Sequence, residues 1–280
     1  MSWSFSNGSL YKPSELKAFL AEIGAAPQKF LSQNFLIDGN IVRKIVQFAD
    51  VKSGDMVLEI GPGPGVLTQQ LLALGATVIA VEKDRKFGAA LHRLQTPDLR
   101  LHVFEEDALE WNPSQHLKHG AKLIANLPYN ITTPILTQFL PRHDLLSSIT
   151  VMVQREVAER MVAKSGTKVY GSLSVFVQFY SDPSIGFIVE PTCFYPAPKV
   201  QSAVIQLRLK KPPREETEKF FQMTRCAFGQ RRKMVVSTLK HHYPLEKIET
   251  GLNKIGKGLK VRPEELSMCD FLVLFDEIIK

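Results

Sequence analysis

Short apolar runs alternate with amphipathic stretches through most of the chain. Asp55-Met-Val-Leu-Glu-Ile60 reads as a buried strand. Val66 to Leu74 has helical spacing and stops at Gly75, a residue suited to the position after a helix. A second strand (Thr77–Glu82), a second helix (Asp84–Leu94), a third strand (Leu99–Phe104) and a fourth (Lys122–Asn126) follow. A helix from about Pro134, a strand at Ile149–Val153, a helical stretch through Gln178 and β-prone runs at Ser184–Val189 and Ser202–Leu209 complete the pattern. The alternation predicts an α/β layered fold with a mainly parallel sheet. The break comes at Lys210-Lys-Pro-Pro-Arg-Glu-Glu216, because consecutive prolines neither continue a helix nor join a central strand. Beyond it only helical patterns remain: Glu216–Phe228, Arg232–His241, Leu245–Asn253 and Pro263–Ile279. Two domains are expected, a sheet domain over 1–211 and a small all-α domain over 212–280.

Composition excludes several classes. Hydrophobic residues are 44% and charged residues 22% of 280, the balance of a folded globular chain rather than a disordered or collagen-like one. No apolar run reaches the roughly 18 to 20 residues that span a bilayer. The N-terminus lacks a basic segment followed by an apolar one, so a cytoplasmic protein with no membrane partner is expected. Cys193, Cys226 and Cys269 lie far apart and make no metal spacing; a reducing compartment and no metal are expected. The net charge of +7 is unevenly spread. Lys199 to Arg262 holds 16 Lys and Arg against 5 Asp and Glu, while the rest of the chain is slightly acidic. A basic module of this kind attracts polyanions by counterion release.

The first chemical signal is Glu59-Ile-Gly61-Pro-Gly63-Pro-Gly65 between strand and helix. Glycine lets backbone turn with positive φ and approach a ligand closely. In open α/β sheets ligands bind at the carboxyl ends of strands, where this loop lies. Its GxGxG spacing departs from the GxGxxG of dinucleotide sites, which argues against a nicotinamide oxidoreductase. Glu82 ends the next strand, where a carboxylate can accept bonds from a ribose diol. Asp107 follows the third strand and can accept from an adenine amino group. Three successive strand ends supplying a glycine loop and two acids resemble the class I, Rossmann-like S-adenosylmethionine methyltransferases. After the fourth strand comes Asn126-Leu127-Pro128-Tyr129. A rigid carbonyl before proline, an amide acceptor and an aromatic face can together hold a planar amine. The tetrapeptide resembles the NPPY-type motif of amino-methyltransferases, in the NLPY form of adenine N6 enzymes acting on RNA.

Across almost the whole chain the motifs resemble the small-subunit ribosomal RNA dimethyladenosine transferases, the KsgA/RsmA family. They are Phe30–Asp38 (FLSQNFLID), Glu59–Thr68, Val81–Asp84, Glu105–Leu109, Asn126–Asn130, Phe194–Val204 (FYPAPKVQSAV), Ala227–Lys233 and Arg262–Ser267. Ser32 stands where the family's glycine is usual, and Met234–Leu239 lacks an asparagine often found before the leucine. The resemblance implies N6,N6-dimethylation of two adjacent adenosines near the 3′ end of small-subunit rRNA, with S-adenosylmethionine as cofactor. The partner implied is small-subunit rRNA or the assembling small subunit, and the acting species a monomer. Gln33, Asn34 and Leu36 would close over the cofactor, Gly61 and Gly63 would line its methionine end, Glu82 would hold the ribose and Asp107 the adenine. Asn126 would bridge cofactor and target, with Leu127, Pro128 and Tyr129 completing the catalytic turn. Phe194 would pack on the target base opposite Tyr129, in a loop stiffened by Pro196 and Pro198. Arg225, Arg231, Arg232, Lys233, Lys257 and Lys260 would contact RNA phosphates. Rival readings are a large-subunit rRNA adenine N6-methyltransferase, and a non-catalytic assembly or transcription factor that keeps the fold.

Overall fold

A seven-stranded sheet organises the computed structural model, which describes residues 10–27, 33–93, 100–230 and 232–280. The chain opens with α1 (Pro13–Glu22), β1 (Phe35–Leu36) and α2 (Gly39–Phe48). Then come β2 (Met56–Ile60), α3 (Val66–Ala73), β3 (Thr77–Val81), α4 (Arg85–His92), β4 (Leu101–Phe104), β5 (Ala121–Asn126), α5 (Thr132–Phe139) and β6 (Leu146–Gln154). After α6 (Arg155–Val162) and α7 (Ser172–Tyr180) the chain returns through β7 (Ser181–Val189), β8 (Phe194–Tyr195) and β9 (Ser202–Leu209). Sheet order is β4-β3-β2-β5-β6-β9-β7. The strands from β4 to β6 pair in parallel, whereas β9 runs antiparallel to β6. The expected mainly parallel sheet is therefore mixed at one side. The expected ends at Leu94 and Leu99 fall outside the described residues.

One sheet face is apolar because alternate residues point to it. Val57, Val78, Ala80, Ile124, Met152 and Val204 share a single buried cluster with Val42, Ile45 and Val46 of α2 and Leu67 and Leu71 of α3. Each of the Val, Leu, Ile and Met side chains contributes about 1.5–3 kcal/mol on burial. The same alternation carries Glu59, Glu82, Asn126 and Gln154 onto this face, each two residues beyond one of those apolar positions. Asn126 is in register with Met152, and Gln154 with Ser202 of the antiparallel β9. The face thus turns from apolar to polar at the carboxyl ends of the parallel strands.

The segment before β2 was not legible as structure. Asp38 starts α2 by accepting from the Asn40 and Ile41 amides at 2.8 and 3.3 Å. Just ahead of it β1 pairs antiparallel with β8, Phe35 opposite Tyr195 and Leu36 opposite Phe194.

The chain forms two compact units, Met1–Ala158 with Ser184–Lys210, and Glu159–Pro183 with Lys211–Lys280. The division after 210 lies beside the expected break, but the second unit also claims 159–183. The reason is aromatic packing: Phe176, Phe179 and Tyr180 of α7 meet Phe221 of α8 (Thr217–Phe228) at ring separations of 5.0, 4.9 and 5.7 Å. Two helices of this unit are shorter than expected. Arg232–His241 reduces to α9 (Val235–Leu239), which α10 (Leu245–Lys254) follows. Pro263–Ile279 splits into a single 3-10 turn and α11 (Met268–Ile279), because Ser267 caps α11 by accepting from the Asp270 amide at 3.1 Å.

Candidate active site

The glycine loop between β2 and α3 needs its glycines. Gly61, Gly63 and Gly65 have φ of +64°, +54° and +87°, a region side chains disfavour. A Cβ on Gly63 would also sit 3.2 Å from the Phe35 ring. The turn brings backbone amides over the polar end of the sheet face. The Gly63 amide donates to Glu82 Oε2, and the Asp84 amide to Glu82 Oε1, both at 2.8 Å. Glu82 is thereby fixed with lone pairs left on both oxygens. Its burial pushes the carboxyl up, against the pull of these two amides.

Glu59, one strand over, is 1% exposed. Thr68 Oγ1 donates to its Oε2 at 2.7 Å. Burial pushes its carboxyl up to about 8, further than the Thr68 bond pulls it down, and the nearby Glu82 adds to the rise. Glu59 opens the glycine-loop segment, and its position there assigns it no role. The available signal was an acid at an inward position of an otherwise apolar strand.

One cavity gathers most of the expected residues. Gln33, Asn34, Leu36, Gly61, Gly63, Glu82, Asn126, Leu127, Pro128 and Tyr129 all line it, with Phe35, Glu59 and Val66 in addition. Between two of its lining residues, Asn126 Nδ2 donates to the Asn34 carbonyl at 3.0 Å. That bond assigns the amide orientation and turns Oδ1, the acceptor, away from Asn34. The Leu127 carbonyl accepts no backbone hydrogen bond among the described residues. Tyr129 is half-buried, and its hydroxyl is 2.8 Å from Ser202 Oγ. Burial raises the phenol above its ordinary value, so Tyr129 is neutral near pH 7. A second cavity shares Gln33, Asn34 and Tyr129 with the first and continues past Gln154, Pro196, Pro198 and Lys199.

Two expected placements differ. Phe194 is 3% exposed, belongs to the apolar cluster beneath the sheet face, and lines neither cavity. Its pairing with Leu36 turns it into core, so Pro196 and Pro198, not Phe194, form a wall near Tyr129. Asp107 does not line the first cavity either. Its Oδ2 accepts from Lys83 Nζ at 2.7 Å and its Oδ1 from the Leu109 amide at 3.0 Å. The Lys83 bond leads in holding this carboxyl below its ordinary value. Arg225, Arg232, Lys233 and Lys260 are exposed and Lys257 half-buried; Arg231 lies outside the described residues.

The donor set suits a cationic ligand with a sugar and a purine. Two residues with buried carboxyls, two loop glycines and an asparagine whose amide oxygen remains an acceptor all line the cavity. No group of three His, Cys, Asp or Glu among the described residues could hold a metal ion. No helix among them is long and apolar enough to cross a membrane.

The model of the family "Ribosomal RNA adenine dimethylase" matches residues 25–280. The chain is 51% identical to "Ribosomal RNA small subunit methyltransferase A" of Protochlamydia amoebophila, over 96% of this chain and 97% of that protein. It is 46% identical to the protein of the same name from Chlamydia caviae, over 94% of this chain and 96% of that one. Among solved structures it resembles a dimethyladenosine transferase from Plasmodium falciparum, with a TM-score of 0.75, 28% identity, and coverage of 87% of this chain and 96% of that one. The 23S rRNA methyltransferase ErmE shares the fold at a TM-score of 0.67 and 24% identity, over 88% of this chain and all of that one.

Proposed function

The chain belongs to the ribosomal RNA adenine dimethylase family, and on that premise we propose that its first unit transfers methyl groups from S-adenosylmethionine to adenine N6 in small-subunit rRNA. The products are two adjacent N6,N6-dimethyladenosines near the 3′ end. The observation that carries this reading is the Asn126 amide. Its Nδ2 is committed to Asn34, so its Oδ1 is left as the acceptor of a residue that lines the first cavity.

When bound, the cofactor supplies an electrophilic methyl on a sulfonium, which becomes a neutral thioether as the new nitrogen–carbon bond forms. Glu82 accepts from the ribose hydroxyls through the lone pairs its backbone partners leave open. Asp107 takes the adenine amino group once Lys83 yields its place. Glu82 beside the cavity favours a positive ligand, and Glu59, neutral in the folded chain near pH 7, can ionise when such a ligand binds.

The target N6 is a weak nucleophile because its lone pair is delocalised into the ring. Asn126 Oδ1 and the Leu127 carbonyl accept its N–H groups and stabilise positive charge as it develops on nitrogen. Holding N6 against the methyl converts a bimolecular encounter into a positioned one. The neutral Tyr129 ring stacks the extruded base, which contributes about 1–3 kcal/mol toward the cost of unstacking it. The proton leaves N6 to water after transfer. For the second methylation one N–H remains, and a single acceptor suffices.

Arg225, Arg232, Lys233, Lys257 and Lys260, which form no ion pair among the described residues, are the proposed phosphate contacts of the second unit. They supply affinity, while the small cavity supplies base identity. A cytoplasmic monomer is the acting species in this reading.

The test is mass spectrometry of undermethylated small-subunit rRNA after incubation with the protein and labelled cofactor. Labelled N6,N6-dimethyladenosine is expected. Label confined to large-subunit rRNA, or cofactor bound without transfer, would overturn the reading.

A further inference from the structure

The polar row at the end of the sheet has a member without an assigned task. Glu82, Glu59 and Asn126 line the first cavity. Gln154 follows Met152 on the same face of β6, and Met152 is in register with Asn126. Its other neighbour is Ser202, directly opposite on β9. Ser202 Oγ in turn holds the Tyr129 hydroxyl. Gln154 is thus fixed between the amide that receives the amino group and the anchor of the stacking ring. Gln154 lines the second cavity, as do Tyr129, Pro196 and Pro198. It is half-buried, and no hydrogen bond to its carboxamide is made among the described residues. A carboxamide with no protein partner at the cavity wall has its donors and acceptor available to a ligand.

We propose that Gln154 is a base-binding residue that donates from Nε2 to a ring nitrogen flanking the target amino group. This deepens the function proposed above and rests on it. Both nitrogens beside N6, N1 and N7, are acceptors, and a primary amide donates to either. The bond survives both methylations, because it does not use the N6 hydrogens that are lost. It therefore keeps the base in place for the second transfer, when the amino group has only one N–H to offer Asn126. The amide belongs to a strand end and not a loop, so the ring is held by the sheet itself.

The experiment uses the full chain and small-subunit rRNA carrying adenosine, 1-deazaadenosine or 7-deazaadenosine at the target position, with initial rates of methyl transfer measured for wild type and Gln154→Leu. Wild type should lose about tenfold in kcat/KM on one of the two analogues, the value of one hydrogen bond. Gln154→Leu should lose a similar factor on adenosine and no further factor on that analogue. The analogue affected identifies the nitrogen. Gln154→Glu keeps the shape and presents only acceptors, so it should be at least as slow, with cofactor binding by calorimetry within a few-fold of wild type. Equal wild-type rates on all three substrates would overturn the role of Gln154 alone, as would a Gln154→Leu defect that adds to both analogues. If wild type transfers nothing to the adenosine substrate, the proposed activity falls and this assignment with it.

Discussion

Replacing Glu59 with glutamine should flatten the dependence of folding stability on pH. The native carboxyl is pushed up to about 8 from its usual 4.5 by burial. The folded protein therefore holds a proton that the unfolded chain releases near pH 4.5. Stability from this group is complete below the unfolded value and is lost as pH rises toward 8. Between these limits the loss approaches about 1.4 kcal/mol per pH unit. From pH 5.5 to 7.5 it amounts to about 2 to 3 kcal/mol. Glutamine keeps the shape, stays neutral and still accepts from Thr68 Oγ1. Urea unfolding at half-unit steps from pH 5 to 8.5 compares the two proteins directly. The stability of Glu59→Gln relative to wild type should rise steadily over this window. Parallel curves would refute the reasoning, since they would mean that Glu59 is ionised in the folded chain throughout. The same site ties protonation to ligand: a cation in the cavity favours the carboxylate, so cofactor binding near pH 7 should release a proton. Calorimetry in buffers of different ionisation enthalpy should detect that proton in wild type and a smaller release in Glu59→Gln.

Asn126→Ala should lower methyl transfer by about a hundredfold or more, as loss of one transition-state hydrogen bond does, while equilibrium dialysis finds cofactor affinity within a few-fold. Tyr129→Phe should keep kcat/KM within about tenfold of wild type and Tyr129→Ala should lose more, because the ring outweighs the hydroxyl; equal losses in rate assays would contradict this. Phe194→Ala should cost about 3–5 kcal/mol in denaturant unfolding, the expectation for a buried aromatic, and at low temperature should spare the rate per folded molecule. Lys233→Ala should weaken RNA binding and reduce the slope of log affinity against log salt by about one, measured by filter binding across salt concentrations.

The central sheet was legible because its apolar runs are bounded by glycine and its strand ends carry acids and an NLPY turn. Gly61, Gly63, Glu82, Asn126 and Tyr129 could be picked out in that way, and one cavity or its wall holds them all. The burial of Phe194 was not legible, because the sequence shows an aromatic in a proline-rich loop but not the strand pairing with Leu36 that buries it. Asp107 was recognisable as an acid after a strand, yet its partner Lys83 lies 24 residues away. Gln154 went unnoticed because its meaning depends on register across three strands, with Asn126 on one side and Ser202 on the other. The helical span of 159–183 was assigned to the sheet domain because local pattern says nothing of which aromatic cluster a helix joins.

The bond from Asn126 to the Asn34 carbonyl gives the chain's early residues authority over chemistry encoded far downstream. An amide has two nearly isosteric ends, and only one of them welcomes an amino group. Without a carbonyl to choose between them, the side chain is free to present its NH2 to the substrate and repel it. A change that merely shifted the Asn34 carbonyl would keep the sheet strands and the whole NLPY turn, and still have lost the compass that points the turn at its substrate. Damage to this enzyme can thus begin 92 residues before Asn126 itself, and it would show itself as silence in the reaction rather than as collapse of the fold.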